Sequence, residues 1–308
     1  MERSEIISGK KNKEHTLIVI AGATASGKTD LAIQIALKFE AEIISADARQ
    51  FYSEMNIGTA KPTAEQLQKV KHHFINSLSI HDNYSAGKFR DDALLLLQNL
   101  FLKHKTVVMV GGSGLFIRAV LNGFDDIPEV SIDAKEKVKN LFEEKGINGL
   151  QEQLKQSDID YYNEVDLQNP YRLIRALEIC ISSGQSFSSF RKGTKTENNF
   201  SVNYLVLDVE KQELYNRINN RVNEMMKSGL LEEAKSLLPF RNLNALNTVG
   251  YKELFEHFDG KLSIEIAIEK IKQHTRNYAK RQLTWYRKET MAQWKTAEKI
   301  IESLLPKK

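Results

Sequence analysis

The chain has 308 residues, long enough to bury a full hydrophobic interior, and its 44 Lys and Arg against 40 Asp and Glu leave a formal charge of +4. That mild basicity permits a nucleic-acid partner without demanding one, and a single cysteine excludes an internal disulfide and a cysteine-rich zinc site. No stretch approaches the ~20 apolar residues of a membrane span, and Met1 to Glu14 alternates charges with no signal-like apolar core, so a cytoplasmic protein without a membrane partner is expected.

Leu17-Ile18-Val19-Ile20-Ala21 is a short apolar run closed by Gly22, and it reads as a buried strand. Leu31, Ile33, Ile35, Ala36 and Phe39 then predict a helix from Thr29 to Phe39, and Ala41-Glu42-Ile43-Ile44-Ser45 predicts a second strand, which completes a βαβ unit. A helix from about Ala86 to Lys103 leads to a third strand, Thr106 to Val110, ending in Gly111-Gly112. From about Asp125 to Lys195 the pattern is polar and helical, with Pro128 and Pro170 marking helix starts and Ser182-Ser183-Gly184 a stop. Cys180 sits in an apolar run there and reads as packing. Asn203 to Val209 returns as a strand, and everything beyond it reads as helical, broken at Gly229, Gly250 and Gly260. The expected fold is α/β: a P-loop NTPase-like parallel sheet flanked by helices, made of residues 1–124 and 201–308, with an all-helical domain, residues 125–200, inserted.

Gly22-Ala23-Thr24-Ala25-Ser26-Gly27-Lys28-Thr29 has the spacing of a phosphate-binding loop and lies between a predicted strand and a predicted helix. Backbone N–H groups and a helix N-terminus would face an anion there, with Lys28 adding a positive charge and the Thr29 hydroxyl sitting on Mg²⁺. The strand at Val110 ends in Gly-Gly-Ser, without the carboxylate expected of an ATPase or GTPase. The strand ending at Ser45 supplies Asp47 instead, at the edge where neighbouring parallel strands share a crevice. Taken alone, Asp47 is open between a catalytic role, a helix N-cap and a metal ligand.

Ser45-Ala46-Asp47-Ala48-Arg49-Gln50-Phe51-Tyr52, then Ile57-Gly58-Thr59-Ala60-Lys61-Pro62, resembles the tRNA dimethylallyltransferases, also called tRNA isopentenyltransferases. Tyr84-Ser85-Ala86, Gly111 to Phe116, Asn169 to Glu178, Val249 to Glu253 and Ala279 to Trp285 match further segments of that family in order, so the resemblance runs from about Leu17 to Trp294. It implies transfer of a dimethylallyl group from dimethylallyl diphosphate to an adenosine in the tRNA anticodon stem-loop. The P-loop residues Gly22 to Thr29, with Lys28 and Mg²⁺, would bind the diphosphate. Asp47 would take a proton from the amine, and Ser113 would help position these groups. By the same resemblance Arg221, in Arg217-Ile218-Asn219-Asn220-Arg221, is a further cation on the diphosphate, although alone that pair reads as a solvated helix face.

An adenosine can react only when unstacked from its loop. The resemblance brings Asp47, Ala48, Arg49 and Gln50 to the target base and its neighbours, and Lys135, Arg172 and Arg175 to the RNA. Lys272, Arg276 and Lys280 fall on one helical stripe, and Lys270 to Lys288 holds seven Lys or Arg and no Asp or Glu, which favours a phosphate track over a solvated face. The chain departs from the family pattern at Ala48 (usually Ser), Asn56 (Asp), Phe116 (Tyr) and Lys135 (Arg). His72-His73 and His81 lack zinc-site spacing and take no role, and Tyr161-Tyr162 and Phe187 to Phe190 read as packing. A monomer is expected. The rival readings are an adenylate isopentenyltransferase, a P-loop kinase for a small metabolite, and a nucleotide-switched RNA-binding protein.

Overall fold

The computed structural model describes residues 13–125, 127–193 and 198–304. Most of the charged N-terminal segment, residues 1–12, lies outside these. The chain divides into two compact units, Met1–Leu121 with Asn198–Lys308, and Asn122–Glu197.

The first unit is an α/β fold. In chain order it holds β1 (Thr16–Ala21), α1 (Lys28–Lys38), β2 (Ile43–Ser45), α2 (Ala64–Lys69), β3 (His72–His73), α3 (Ala86–Phe101), β4 (Thr106–Gly111) and α4 (Gly114–Asn122). The strands form one six-stranded sheet of order β3-β2-β4-β1-β5-β6, every pair parallel. Side chains of β1 alternate between faces: Leu17, Val19 and Ala21 join Phe51, Phe89 and Tyr286, while Ile18 and Ile20 join Leu31 and Ile35 of α1. Burial on both faces is what the unbroken apolar run requires. At the carboxyl edge the register sets Ala21 beside Gly111, and Ser45 beside Val110. The loops after β1, β2 and β4 therefore leave from one place.

The second unit is helical: α5 (Ile132–Ser157), kinked where Gly146 takes φ 60°, then α6 (Ile159–Glu164), α7 (Pro170–Ser183) and α8 (Phe187–Phe190). Its interior is Val138, Leu150, Leu154, Leu173, Ala176 and Leu177, with Tyr161 edge-on to Phe187 at 4.7 Å. Pro170 and Gly184 bound α7 as expected, but Pro128 starts no helix. α5 begins at Ile132 under a Ser131 cap whose Oγ accepts the Ala134 N–H at 3.2 Å, because a hydroxyl satisfies an orphan donor and proline does not.

The chain then adds β5 (Ser201–Leu207), α9 (Lys211–Lys227), α10 (Leu230–Leu237), α11 (Tyr251–Phe258), α12 (Ile264–Tyr286), β6 (Gln293–Lys295) and α13 (Ala297–Leu304) to the first unit. β6 corrects the expectation that only helices follow β5: three residues with one apolar member carry no readable period, and pairing with Leu205–Leu207 alone makes them a strand. β3, the His72-His73 pair, escapes the sequence for the same reason.

Candidate active site

The loop after β1 enters α1 through Gly27, which caps the helix with φ 92°, and no side chain among the described residues makes a capping hydrogen bond there. The N-terminal N–H groups of α1 thus face the crevice. Three long side chains brace the loop from α9 and α12. Gln282 accepts the Thr24 N–H at 2.8 Å and donates to the Gly112 carbonyl at 2.8 Å, tying the loops after β1 and β4 together. Arg217 donates to the Ser26 carbonyl at 2.9 Å, and Arg221 to the Thr24 hydroxyl at 3.2 Å. Lys28 donates to the Ala23 carbonyl at 3.1 Å.

Asp47 follows β2, and its Oδ1 accepts the Arg49 N–H at 3.0 Å in a local turn. The Ser113 hydroxyl accepts the Ala48 N–H at 2.9 Å, so it fixes the backbone that carries Asp47. Glycine is required alongside: a Cβ on Gly111 would come within 2.1 Å of the Ala46 carbonyl oxygen, and one on Gly114 within 2.2 Å of the Trp285 indole nitrogen.

A narrow chamber of about 40 Å³ is lined by Thr24, Lys28, Thr29, Asp47, Arg221 and His72 among others. Asp47 and Arg221 also line a cavity of about 450 Å³ with Arg49, Ser113, Tyr278 and Arg281. Lys28, Thr29 and Arg221 line another of about 590 Å³, which reaches Lys61 and Glu224. Arg221 therefore borders all three spaces. Burial pulls the Lys28 pKa down to about 8, opposed by the charge of Asp47 and reinforced by Arg221. Burial lowers that of Arg221 too, with Asp47 again opposing. Burial and then the Asp47 carboxylate push the Tyr278 phenol up to about 12. Two cations, Lys28 and Arg221, one carboxylate, Asp47, and the hydroxyls of Thr24 and Thr29 thus meet in a desolvated space able to hold an anion and move a proton.

The structure gathers Thr24, Lys28, Thr29, Asp47, Ser113 and Arg221, and Arg49 borders the larger cavity. Gln50 is engaged internally: its Nε2 donates to the carbonyls of Thr59 and Ala60 at 3.3 and 3.1 Å. Lys135, Arg172 and Arg175 are exposed on helices of the second unit, Arg175 facing Glu178 at 3.7 Å. The run Lys270 to Lys288 has no acid of its own, but acids from outside it pair with several of its members, contrary to the expected lack of acidic partners. Glu269 lies 2.7 Å from Lys272, Glu256 3.6 Å from Lys270 and Glu253 2.5 Å from His274, while Arg276 donates to Asn219 at 2.6 Å. Helix packing and the preceding turn supply partners that the run itself lacks. Lys280 is exposed and has no ion-pair partner among the described residues. Sequence reasoning misses Tyr278, Arg281 and Gln282, though a glutamine in the buried stripe of Ala279 and Tyr286 is a readable signal.

A parallel sheet with a glycine-bounded loop and a helix N-terminus after β1, and a carboxylate beside them, defines an α/β protein with a crevice able to hold an anion at the carboxyl edge of its strands. Residues 50–289 match the family model described as IPP transferase, and the chain belongs to that family. It is 52% identical to the tRNA dimethylallyltransferase of Christiangramia forsetii, over 90% of this chain and 92% of that one. With the tRNA dimethylallyltransferase of Flavobacterium johnsoniae it shares 46%, over 90% and 92%. Among solved structures, the full-length tRNA isopentenylpyrophosphate transferase of Bacillus halodurans superposes with a TM-score of 0.69 at 34% identity, covering 94% of each chain. A eukaryotic dimethylallyltransferase acting on tRNA gives 0.77 at 25% identity, over 92% of this chain and 74% of that one.

Proposed function

We propose that the protein transfers a dimethylallyl group from dimethylallyl diphosphate to the exocyclic N6 amine of the adenosine 3′ of the anticodon in tRNA, releasing diphosphate. One observation carries this reading: Asp47 lines the same chamber as Lys28, Thr29 and Arg221. The loop amides, Lys28 and Arg221 hold the diphosphate and stabilise the negative charge that grows on it as the allylic carbon–oxygen bond breaks. The adenine nitrogen uses its lone pair to form the new carbon–nitrogen bond, and Asp47 takes the proton that becomes acidic as that bond forms.

The donor set fits magnesium. Thr29 offers one hard oxygen, and among the described residues no cluster of His, Cys, Asp or Glu makes a cage, which suits an ion that keeps waters and binds substrate phosphates. Bound there, Mg²⁺ would offset diphosphate charge. The cavity of about 450 Å³, with Arg49, Tyr278 and Arg281 on its wall, is the side from which an unstacked adenosine reaches Asp47. On this reading the Gln50 side chain shapes the wall at Thr59 and Ala60, and Lys135, Arg172, Arg175 and Lys280 contact the tRNA backbone.

Incubation with radiolabelled dimethylallyl diphosphate and either tRNA or AMP tests the reading, and label in tRNA is expected. Label in AMP would favour the adenylate enzyme, and no label a kinase or a binding protein. Asp47→Asn should lower the rate of transfer by about 10²–10⁴ while diphosphate binding persists, and an undiminished rate would exclude Asp47 as the base.

A further inference from the structure

The two histidines of β3 do different work. Successive strand residues point to opposite faces. On one face His73 lies 2.5 Å from the Glu42 carboxylate, which also lies 3.4 Å from His104 and 3.2 Å from Lys71. His73 is thereby engaged in a partly exposed ionic cluster at the sheet margin. His72 instead borders the narrow chamber that holds Lys28, Thr29, Asp47 and Arg221. Its Nδ1 lies 2.8 Å from the Val70 carbonyl, which can only accept, so Nδ1 carries the proton. Its Nε2 is buried and has no hydrogen-bond partner among the described residues. A neutral imidazole held this way presents a bare acceptor, and a buried acceptor without a donor is costly enough to call for an explanation.

We propose that His72 is a positioning residue for the metal-bound form of the diphosphate, its Nε2 accepting a hydrogen bond from a water of the magnesium–diphosphate headgroup. The inference rests on the function proposed above and extends it to a residue with no role so far. The chamber is rich in donors, namely Lys28, Arg221 and the hydroxyls of Thr24 and Thr29, and those suit phosphate oxygens. An acceptor cannot bind a phosphate oxygen directly. It can bind water, and a magnesium ion on a diphosphate retains several waters whose protons need acceptors. Asp47 is one such acceptor and has the proton of the amine to take, which leaves Nε2 for the water. Burial lowers the His72 pKa, which keeps the ring in the neutral form this contact needs.

Two substitutions separate this role from simple packing. In His72→Asn the amide reaches the place of Nδ1 and can keep the Val70 bond while Nε2 is lost. In His72→Gln the amide oxygen reaches the place of Nε2. Binding of inorganic diphosphate to the full chain would be measured by titration calorimetry with and without magnesium chloride. His72→Asn is expected to weaken binding of the magnesium complex about 10- to 100-fold, with metal-free diphosphate unchanged and His72→Gln recovering most of the loss. Unchanged affinity for the magnesium complex in His72→Asn, equal losses with and without metal, or no recovery in His72→Gln would each overturn the inference. If the wild-type chain binds no magnesium diphosphate, the proposed function falls and this inference with it.

Discussion

Lys28 shows how the anion-binding role proposed for it works against stability. Its pKa in the folded protein, about 8, lies below the ordinary 10.5, so the unfolded chain holds the proton more tightly between these values. Stability of the ligand-free protein should therefore rise as pH increases from about 8 to about 10.5, and below about 8 the folded state carries the full cost of the buried charge. Lys28→Met should be more stable than wild type near pH 7 by on the order of 1 kcal/mol, and lose that advantage by about pH 10, as followed by chemical denaturation. Affinity for diphosphate should run the opposite way in pH. The charged amine is the form that binds, so affinity falls several-fold from about pH 7 to about pH 9 in the wild type and more weakly in Lys28→Met.

Between elements, single polar side chains fix the site. Gln282 of α12 is buried and satisfies both the Thr24 N–H and the Gly112 carbonyl. Gln282→Leu leaves two backbone groups unpaired and should cost about 2–5 kcal/mol in thermal or denaturant unfolding, and it should weaken diphosphate binding more than tRNA binding. Glu233 of α10 has a parallel role: its carboxylate accepts the N–H groups of Asn56, Ile57 and Gly58 at 3.0, 2.8 and 2.9 Å, and the Tyr251 hydroxyl at 2.7 Å. That single group shapes the Ile57-to-Pro62 segment, whose sequence is legible as a family motif while its anchor is not. Along α12 the cationic stripe divides. Lys280→Glu should reduce the salt dependence of tRNA binding by about one unit of slope or more, whereas Lys272→Ala, losing a residue paired with Glu269, should change that slope little. Equal effects in filter-binding titrations would return the whole stripe to the phosphate track that sequence spacing suggests.

On the scale of the molecule, the first unit closes without the second. β5 pairs with β1 from Thr16–Ser201 onward, and the Asn198 amide donates to the Leu121 carbonyl at 2.7 Å. A chain with residues 122–197 replaced by a short flexible linker should melt cooperatively and bind magnesium diphosphate, while losing most of its affinity for tRNA. Loss of cooperative melting would show that the sheet depends on the helical unit. The sequence by itself determined the loop from Gly22 to Thr29 between a strand and a helix, the place of Asp47 after the second strand, the βαβ order and the helical character of the middle segment, because each rests on contiguous residues or on a hydrophobic period that local backbone geometry reads directly. Only the tertiary structure decided that Arg221, 197 positions after Thr24, reaches its hydroxyl, that Gln282 ties two loops, that β6 is a strand, and that acids accompany the cations of α12. Apart from Lys272 with Glu269, three positions earlier on the same helix, those contacts join residues far apart in the chain, and a helix face or a three-residue run is compatible with many partners until packing selects one.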